Sequence, residues 1–278
     1  MNDSHRLPLL HGGEIPAIGL GTWPYVGTEC RQMVTEALDL GYRLLDTSHQ
    51  YGNEGAVGAA VRSSCVPREE IFVTSKFNKQ DHSVHGVRRA YEESLRRTGL
   101  EYLDLFLIHW PVPALDRYAA AWQGLVDLRK AGVVGAIGVS NFKAPHLERI
   151  ISATGYVPDV NQIQLSVDLA RTRIRQVHQS LGIVTEGWSP IGRGGALRED
   201  AVVGGIAAEL GRTPVQVLLR WQIEVGAIPI PRASNATQLR QNIEVFDFNL
   251  TSEHLIRLAR LDLGESAARD SDDPANGH

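Results

Sequence analysis

The chain has 278 residues, 43% hydrophobic and 22% charged, with 28 basic against 32 acidic side chains and a net charge of −4. That is an ordinary globular composition, suited to one large domain or two small ones, and long enough to bury a core without metal or disulfide staples. It carries no basic block, so nucleic acid and anionic membranes are not expected partners. Cys30 and Cys65 are too few for a disulfide framework, and a reducing, cytoplasmic compartment is the default. The opening MNDSHRLPLL has no signal-peptide core, and no run approaches the ~18 uninterrupted apolar residues of a membrane helix.

In chain order, residues 7–18 (LPLLHGGEIPAI) predict a small hairpin turning at Gly12-Gly13 and plugging the bottom of a barrel. Short apolar runs then predict strands at 17–20, 42–46, 71–74, 103–108, 134–139, 159–163, 183–187 and 227–230. Helix-period segments alternate with them at 29–40, 54–64, 84–98, 117–131, 145–153, 171–181 and 214–224. In 84–98, Val84, Val87, Tyr91, Leu95 and Thr98 recur at helical spacing while Arg88, Arg89, Glu92 and Glu93 face away. Nearly continuous apolar strands are buried on both faces, as in a parallel sheet covered by helices. Repeated βα units without a linker predict a single closed (β/α)8 barrel, a TIM barrel, over residues 1–278. The polar tail from about Gly264 is expected to be loosely ordered. A doubly wound dinucleotide fold is the alternative, but Gly19-Leu20-Gly21 leads to Pro24 where its third glycine belongs.

In such a barrel the C-terminal ends of the strands form the active face. Here they end in Asp46 (then Thr47-Ser48-His49-Gln50-Tyr51), Ser75-Lys76, His109-Trp110, Ser140-Asn141, Gln162 and Trp188-Ser189. Each has a bland reading: Asp46 as a turn cap, Lys76 as a solvated charge, His109 as a satisfied core histidine, Tyr51 as a packing aromatic. Their joint placement on neighbouring strand ends favours function. Adjacent strands lie ~4.8 Å apart, so Asp46 and Lys76 can pair. The ammonium favours phenolate and is expected to lower the Tyr51 pKa, making Tyr51 a general acid with His109 beside it. Lysine is one of only four in the chain, so its retention at 76 fits a need for a compact point charge. No nucleophile elbow, triad or metal-ligand pattern appears, and His82-x-x-His85 reads as incidental. An acid without nucleophile or metal needs a cofactor as second reactant, and hydride from a nicotinamide completes carbonyl reduction.

The motifs DTSxxYGNE (Asp46–Glu54), TSK (Thr74–Lys76), LIHWP (Leu107–Pro111), GVSNF (Gly138–Phe142) and VFDFxL (Val245–Leu250) resemble those of aldo-keto reductases. The resemblance runs from Gly19-Leu20-Gly21-Thr22-Trp23 to about residue 262, and is nearest the prokaryotic branch containing 2,5-diketo-D-gluconate reductases. It implies a catalytic tetrad of Asp46, Tyr51, Lys76 and His109, with Tyr51 as proton donor and a small carbonyl compound as substrate. It also implies a monomer, and NADPH held by Ser140, Asn141 and Gln162 at the carboxamide, with Trp188 stacked on the nicotinamide and Ser189 following it. Trp23 and Trp110 would wall the substrate pocket.

Departures from the family pattern are informative. Asn78 stands where many relatives have tryptophan, which is expected to widen the pocket or make it more polar. Arg232 replaces the usual lysine at the 2′-phosphate site, and Gln238 replaces a second arginine. Arg232, Ser234 and Asn235 can still contact phosphate, with Gln241 and Asn242 at the adenine, so NADPH is favoured and NADH remains open. Two other functions fit the same motifs: a nucleotide-binding regulatory barrel without turnover, and reduction of imines or activated alkenes. Extra partner-binding elements would mark the first, and glutamate in place of His109 a double-bond reductase. Neither feature is present, and carbonyl reduction leads.

Overall fold

Gly12 and Gly13 take φ of 96° and 83°, a region open to glycine without steric penalty, and the chain reverses there. β1 (Arg6–Pro8) pairs antiparallel with β2 (Glu14–Pro16). Ile15 and Leu9 from this hairpin pack on Leu44, Phe72, Leu105, Ala136, Val160 and Ile228 near the starts of the barrel strands. The hairpin thus plugs the barrel bottom, as expected. The computed structural model describes residues 5–276. The first four residues, part of the segment read as lacking a signal peptide, and the last two residues of the polar tail lie outside it.

Eight parallel strands follow in chain order: β3 (Leu20–Gly21), β4 (Leu44–Asp46), β5 (Phe72–Phe77), β6 (Leu105–Ile108), β7 (Ala136–Ser140), β8 (Val160–Gln164), β9 (Val184–Trp188) and β10 (Ala227–Ile230). The Gly19 N–H donates to the Pro229 carbonyl at 3.1 Å and the Gly21 N–H to the Pro231 carbonyl at 2.9 Å, joining the first barrel strand to the last. A Cβ on Gly19 would stand 2.7 Å from the Ile230 side chain. The Gly-Leu-Gly segment therefore serves barrel closure, where backbone must approach closely, and not a phosphate turn.

Helices Val84–Thr98 and Pro214–Glu224 have the predicted bounds, and five others differ from expectation by at most two residues per end. Ser83 accepts from the Gly86 N–H at the start of the first, and Gly99, with φ of 65°, ends it, the usual cap pair. Helices Ala201–Leu210, Ala236–Ile243 and Ser252–Ala259 were not anticipated. The first reads AVVGGIAAEL, apolar but for Glu209 and with paired glycines, so it offers no amphipathic period to detect. No helix among the described residues is long and apolar enough to cross a membrane.

Side chains alternate along each strand. Leu45, Val73, Phe106, Ile137 and Val139 face the helices. Leu44, Phe72, Val160 and Val184 point into the barrel, and two residues further along the same inward rows carry Asp46, Thr74, Gln162 and Glu186. The interior is thus apolar below and polar at the mouth.

The tail differs from expectation. The Arg269 N–H donates to Gln164 Oε1 at 2.9 Å, Arg171 pairs with Glu265 at 2.8 Å, and Lys143 holds both Asp270 and Asp272 at 2.7 Å. Lys79 donates to the carbonyls of Pro274 and Asn276. The tail lies as a strap across the barrel mouth. Its polar composition, which resembles that of a disordered segment, supplies ion pairs to bases far away in sequence. Replacing Lys143 by glutamate is expected to leave the melting temperature nearly unchanged, because exposed pairs contribute little. It should accelerate limited proteolysis within 264–276, and an unchanged cleavage rate would show that Lys143 does not anchor the strap.

Candidate active site

Lys76 is fully buried on the inner face of β5. A lysine ammonium has three donors, and here each has a partner: Asp46 at 2.7 Å, the Thr47 carbonyl at 3.0 Å and Tyr51 Oη at 3.3 Å. Parallel pairing puts Asp46 beside Thr74, two residues before Lys76 on the neighbouring strand. The short helical turn His49–Tyr51, capped by Ser48, then returns Tyr51 over the ammonium, whose nitrogen lies 4.9 Å from the ring centroid. Burial alone would lower the Lys76 pKa, but Asp46 and Tyr51 more than offset it, and the ammonium sits above its ordinary range.

Tyr51 departs from expectation in direction. Burial of its hydroxyl raises the pKa, Lys76 pulls it back only in part, and Asp46 pushes it up again. The phenol therefore keeps its proton in the free protein. The role left to Lys76 is to limit the cost of forming phenolate in a dry site, not to lower the resting pKa.

His109 ends β6 beside Tyr51, with ring centroids 5.9 Å apart. Burial, then the charges of Lys76 and Arg269, hold its pKa well below the usual histidine range, so the ring is neutral at pH 7. Ser48 Oγ lies 3.3 Å from both His109 Nδ1 and the Lys76 carbonyl. The single Ser48 hydroxyl proton serves one of them at a time: when it goes to the Lys76 carbonyl, Nδ1 holds the imidazole proton, and when it goes to Nδ1, that proton resides on Nε2.

The predicted carboxamide group also comes together. Ser140 Oγ donates to the Gln162 carbonyl at 2.9 Å, and Asn141, in the left-handed region at φ of 63°, donates to Ser140 Oγ and the His109 carbonyl. Trp188 Nε1 donates to Asn141 Oδ1 at 2.8 Å, fixing the indole edge and leaving the ring half-buried. Ser189 follows with φ of 53°. Gln162 Nε2 donates to Asp46 at 2.8 Å and to Glu186 at 2.9 Å.

Around the mouth, Trp110 is buried, stacks on His109 at 6.2 Å and meets Trp188 edge-on at 6.5 Å. The Arg269 guanidinium from the strap lies 5.0 Å from the Trp110 ring centroid. Trp23 is 58% exposed at the end of β3. Asn78 is buried, and its amide donates to the Gln50 side chain, tying two loops together.

Across the closure seam, Arg232 is exposed and Asn242 Nδ2 donates to its carbonyl at 3.3 Å. Gln241 is half-buried on the same helix. Gln238 Oε1 accepts the Ser234 N–H at 2.8 Å, and Tyr25 donates to Ser234 Oγ at 3.1 Å. Gln238 thus occupies a backbone donor that a phosphate could otherwise use. Sequence reasoning gave no role to Thr47, Ser48, Glu186 and Arg269. The inward alternation of β9, which puts Glu186 two residues before Trp188, was a usable signal for one of them.

This geometry agrees with comparisons to known proteins. The sequence model of the Aldo/keto reductase family matches residues 17–262. An aldo-keto reductase of Mycolicibacterium smegmatis is 42% identical, covering 96% of this chain and 97% of that protein. The methylglyoxal reductase DkgA of Escherichia coli K12 is 38% identical over 96% of each chain. Among solved structures, Gox0644 superposes with a TM-score of 0.92 at 40% identity over 98% of both chains. A point mutant of Gox0644 in complex with NADPH also gives 0.92, at 39% identity over 100% of each chain. The chain belongs to the aldo/keto reductase family.

Proposed function

We propose that this protein reduces small aldehydes and ketones to alcohols with NADPH, and that Tyr51 donates the proton. The observation that carries the reading is the buried Lys76, whose ammonium spends its donors on Asp46, the Thr47 carbonyl and Tyr51 Oη. A site for the dinucleotide fits the residues present. Trp188 offers a half-buried indole face, Ser140, Asn141 and Gln162 cluster beside it, and Arg232 stands exposed across the seam. When bound, the reduced nicotinamide supplies hydride to the carbonyl carbon.

The chain's own residues do the rest. In the tautomer in which Ser48 donates to Nδ1, the neutral His109 orients the substrate oxygen by donating from Nε2, while Tyr51 passes its proton to that oxygen. Asp46 keeps Lys76 charged and aimed at Tyr51 Oη, so the phenolate meets a preorganised cation as it forms. Trp110 and Trp188 keep water from the reacting atoms. The methylglyoxal reductases among the relatives make small α-oxoaldehydes the first substrates to assay.

Titration of tryptophan fluorescence with NADPH and NADH tests the cofactor reading, since Trp188 should be quenched. Binding of neither would sink it. Losing a charge-assisted phosphate contact costs about 1.5–3 kcal/mol, so Arg232→Ala should weaken NADPH roughly 10–100-fold. NADH affinity should barely change. Equal losses for both dinucleotides would remove Arg232 from the 2′-phosphate.

A further inference from the structure

Glu186 lies inside the barrel on β9, wholly buried and used by no step above. Its Oε2 accepts from Gln162 Nε2 at 2.9 Å, and the same nitrogen donates to Asp46 Oδ2 at 2.8 Å. Its other oxygen, Oε1, has no hydrogen-bond partner among the described residues. A primary amide has two N–H donors and one carbonyl acceptor. With carboxyl oxygens on both sides of its nitrogen, Gln162 has spent both donors and keeps only its Oε1 for anything else. The amide orientation is therefore dictated by chemistry: turning it over would set its oxygen against the Asp46 carboxylate.

We propose that Glu186 is a positioning residue for the cofactor, holding the Gln162 amide jointly with Asp46 so that Gln162 offers the nicotinamide carboxamide an acceptor and nothing else. The inference rests on the NADPH reading above. It links recognition of the carboxamide NH2 group to the tetrad, because one nitrogen bridges Glu186 and the carboxylate that holds Lys76.

The charge state fits this role. The groups facing Glu186 are Asp46 from β4, Lys76 from β5 and Gln162 from β8, while β10 contributes no titratable side chain. Burial first, then Asp46, raise the Glu186 pKa to about 8 against smaller opposing pulls from Gln162 and Lys76. The neutral acid carries its proton on the unpartnered Oε1 and leaves Oε2 as the carbonyl that Gln162 needs. It supplies an acceptor without placing a second negative charge beside Asp46.

The test compares binding of NADP+ with that of its 3-acetylpyridine analogue, which has a methyl ketone where NADP+ has the carboxamide NH2 donor. Wild type should prefer NADP+ about tenfold, the value of one hydrogen bond. Glu186→Gln keeps an acceptor and should keep that ratio. Glu186→Leu removes it, leaves the Gln162 amide held by Asp46 alone and free to tilt, and should bring the ratio towards one. A wild-type ratio in a folded Glu186→Leu protein, or equal losses in both variants, would overturn the proposal while leaving the NADPH reading intact. Failure of wild type to bind either dinucleotide would overturn both.

Melting of the cofactor-free protein gives a second readout if Glu186→Leu fails to fold. The wild-type acid has its folded pKa raised from 4.5 to about 8. Folded wild type therefore binds more protons than unfolded across that window and loses stability as pH rises through it. The melting temperature of Glu186→Gln relative to wild type should climb from pH 5 to pH 8 and then level off. A flat difference would show that Glu186 is not the neutral acceptor described.

Discussion

Replacing Tyr51 with phenylalanine is expected to lower the turnover of carbonyl reduction by about 10²–10⁴-fold, the usual contribution of a positioned general acid. The ring volume is retained, so the packing against His109 at 5.9 Å should survive. Lys76 loses only the 3.3 Å contact to Oη and keeps its two shorter ones, to Asp46 and the Thr47 carbonyl. NADPH affinity should therefore change little, because nothing in the carboxamide cluster or at Arg232 is touched. Steady-state kinetics and a fluorescence titration on the same preparation separate the two effects. Near wild-type turnover would transfer the proton-donor role away from Tyr51, with His109 the next group to replace.

The second large effect is expected at Lys76. Lys76→Met fills similar space but strands the Asp46 carboxylate in a buried site, and breaking such a pair costs about 3–5 kcal/mol. Part of that loss should be recoverable. Adding Asp46→Asn removes the stranded charge, so the double variant should melt higher than Lys76→Met alone. Activity should not return with it, since Tyr51 would then form its phenolate with no cation nearby. Chemical denaturation and turnover measured on the single and double variants test both halves. If stability and activity recovered together, Lys76 would matter for folding alone.

The strand ends were legible from the sequence because β-structure puts chemistry at a predictable place. Once an apolar run is recognised as a strand, its last polar residue marks the mouth. Asp46, Lys76, His109, Ser140, Asn141, Gln162 and Trp188 were all found in that way, and the structure gathers them. Helix Val84–Thr98 was legible for a similar local reason, with a serine cap, an amphipathic period and a terminal glycine. Helix Ala201–Leu210 was not, because a segment apolar but for Glu209 has no period to detect.

By itself, then, the sequence determined the alternation of strands and helices, the hairpin at Gly12-Gly13, and which residues would meet at the mouth, since these follow from short-range patterns and strand polarity. The tertiary structure alone decided the rest. Barrel closure depends on hydrogen bonds from Gly19 and Gly21 to residues more than two hundred positions away. The strap depends on Lys143 meeting Asp270 and Asp272, although the composition of that tail resembles disorder. The Tyr51 pKa goes up and not down because desolvation outweighs the neighbouring ammonium, and burial has no local signature in the chain. Glu186 likewise becomes a neutral acceptor only once the barrel closes around it and sets Asp46 nearby. Local patterns determine which groups arrive, whereas their protonation and partners depend on the solvent that folding removes.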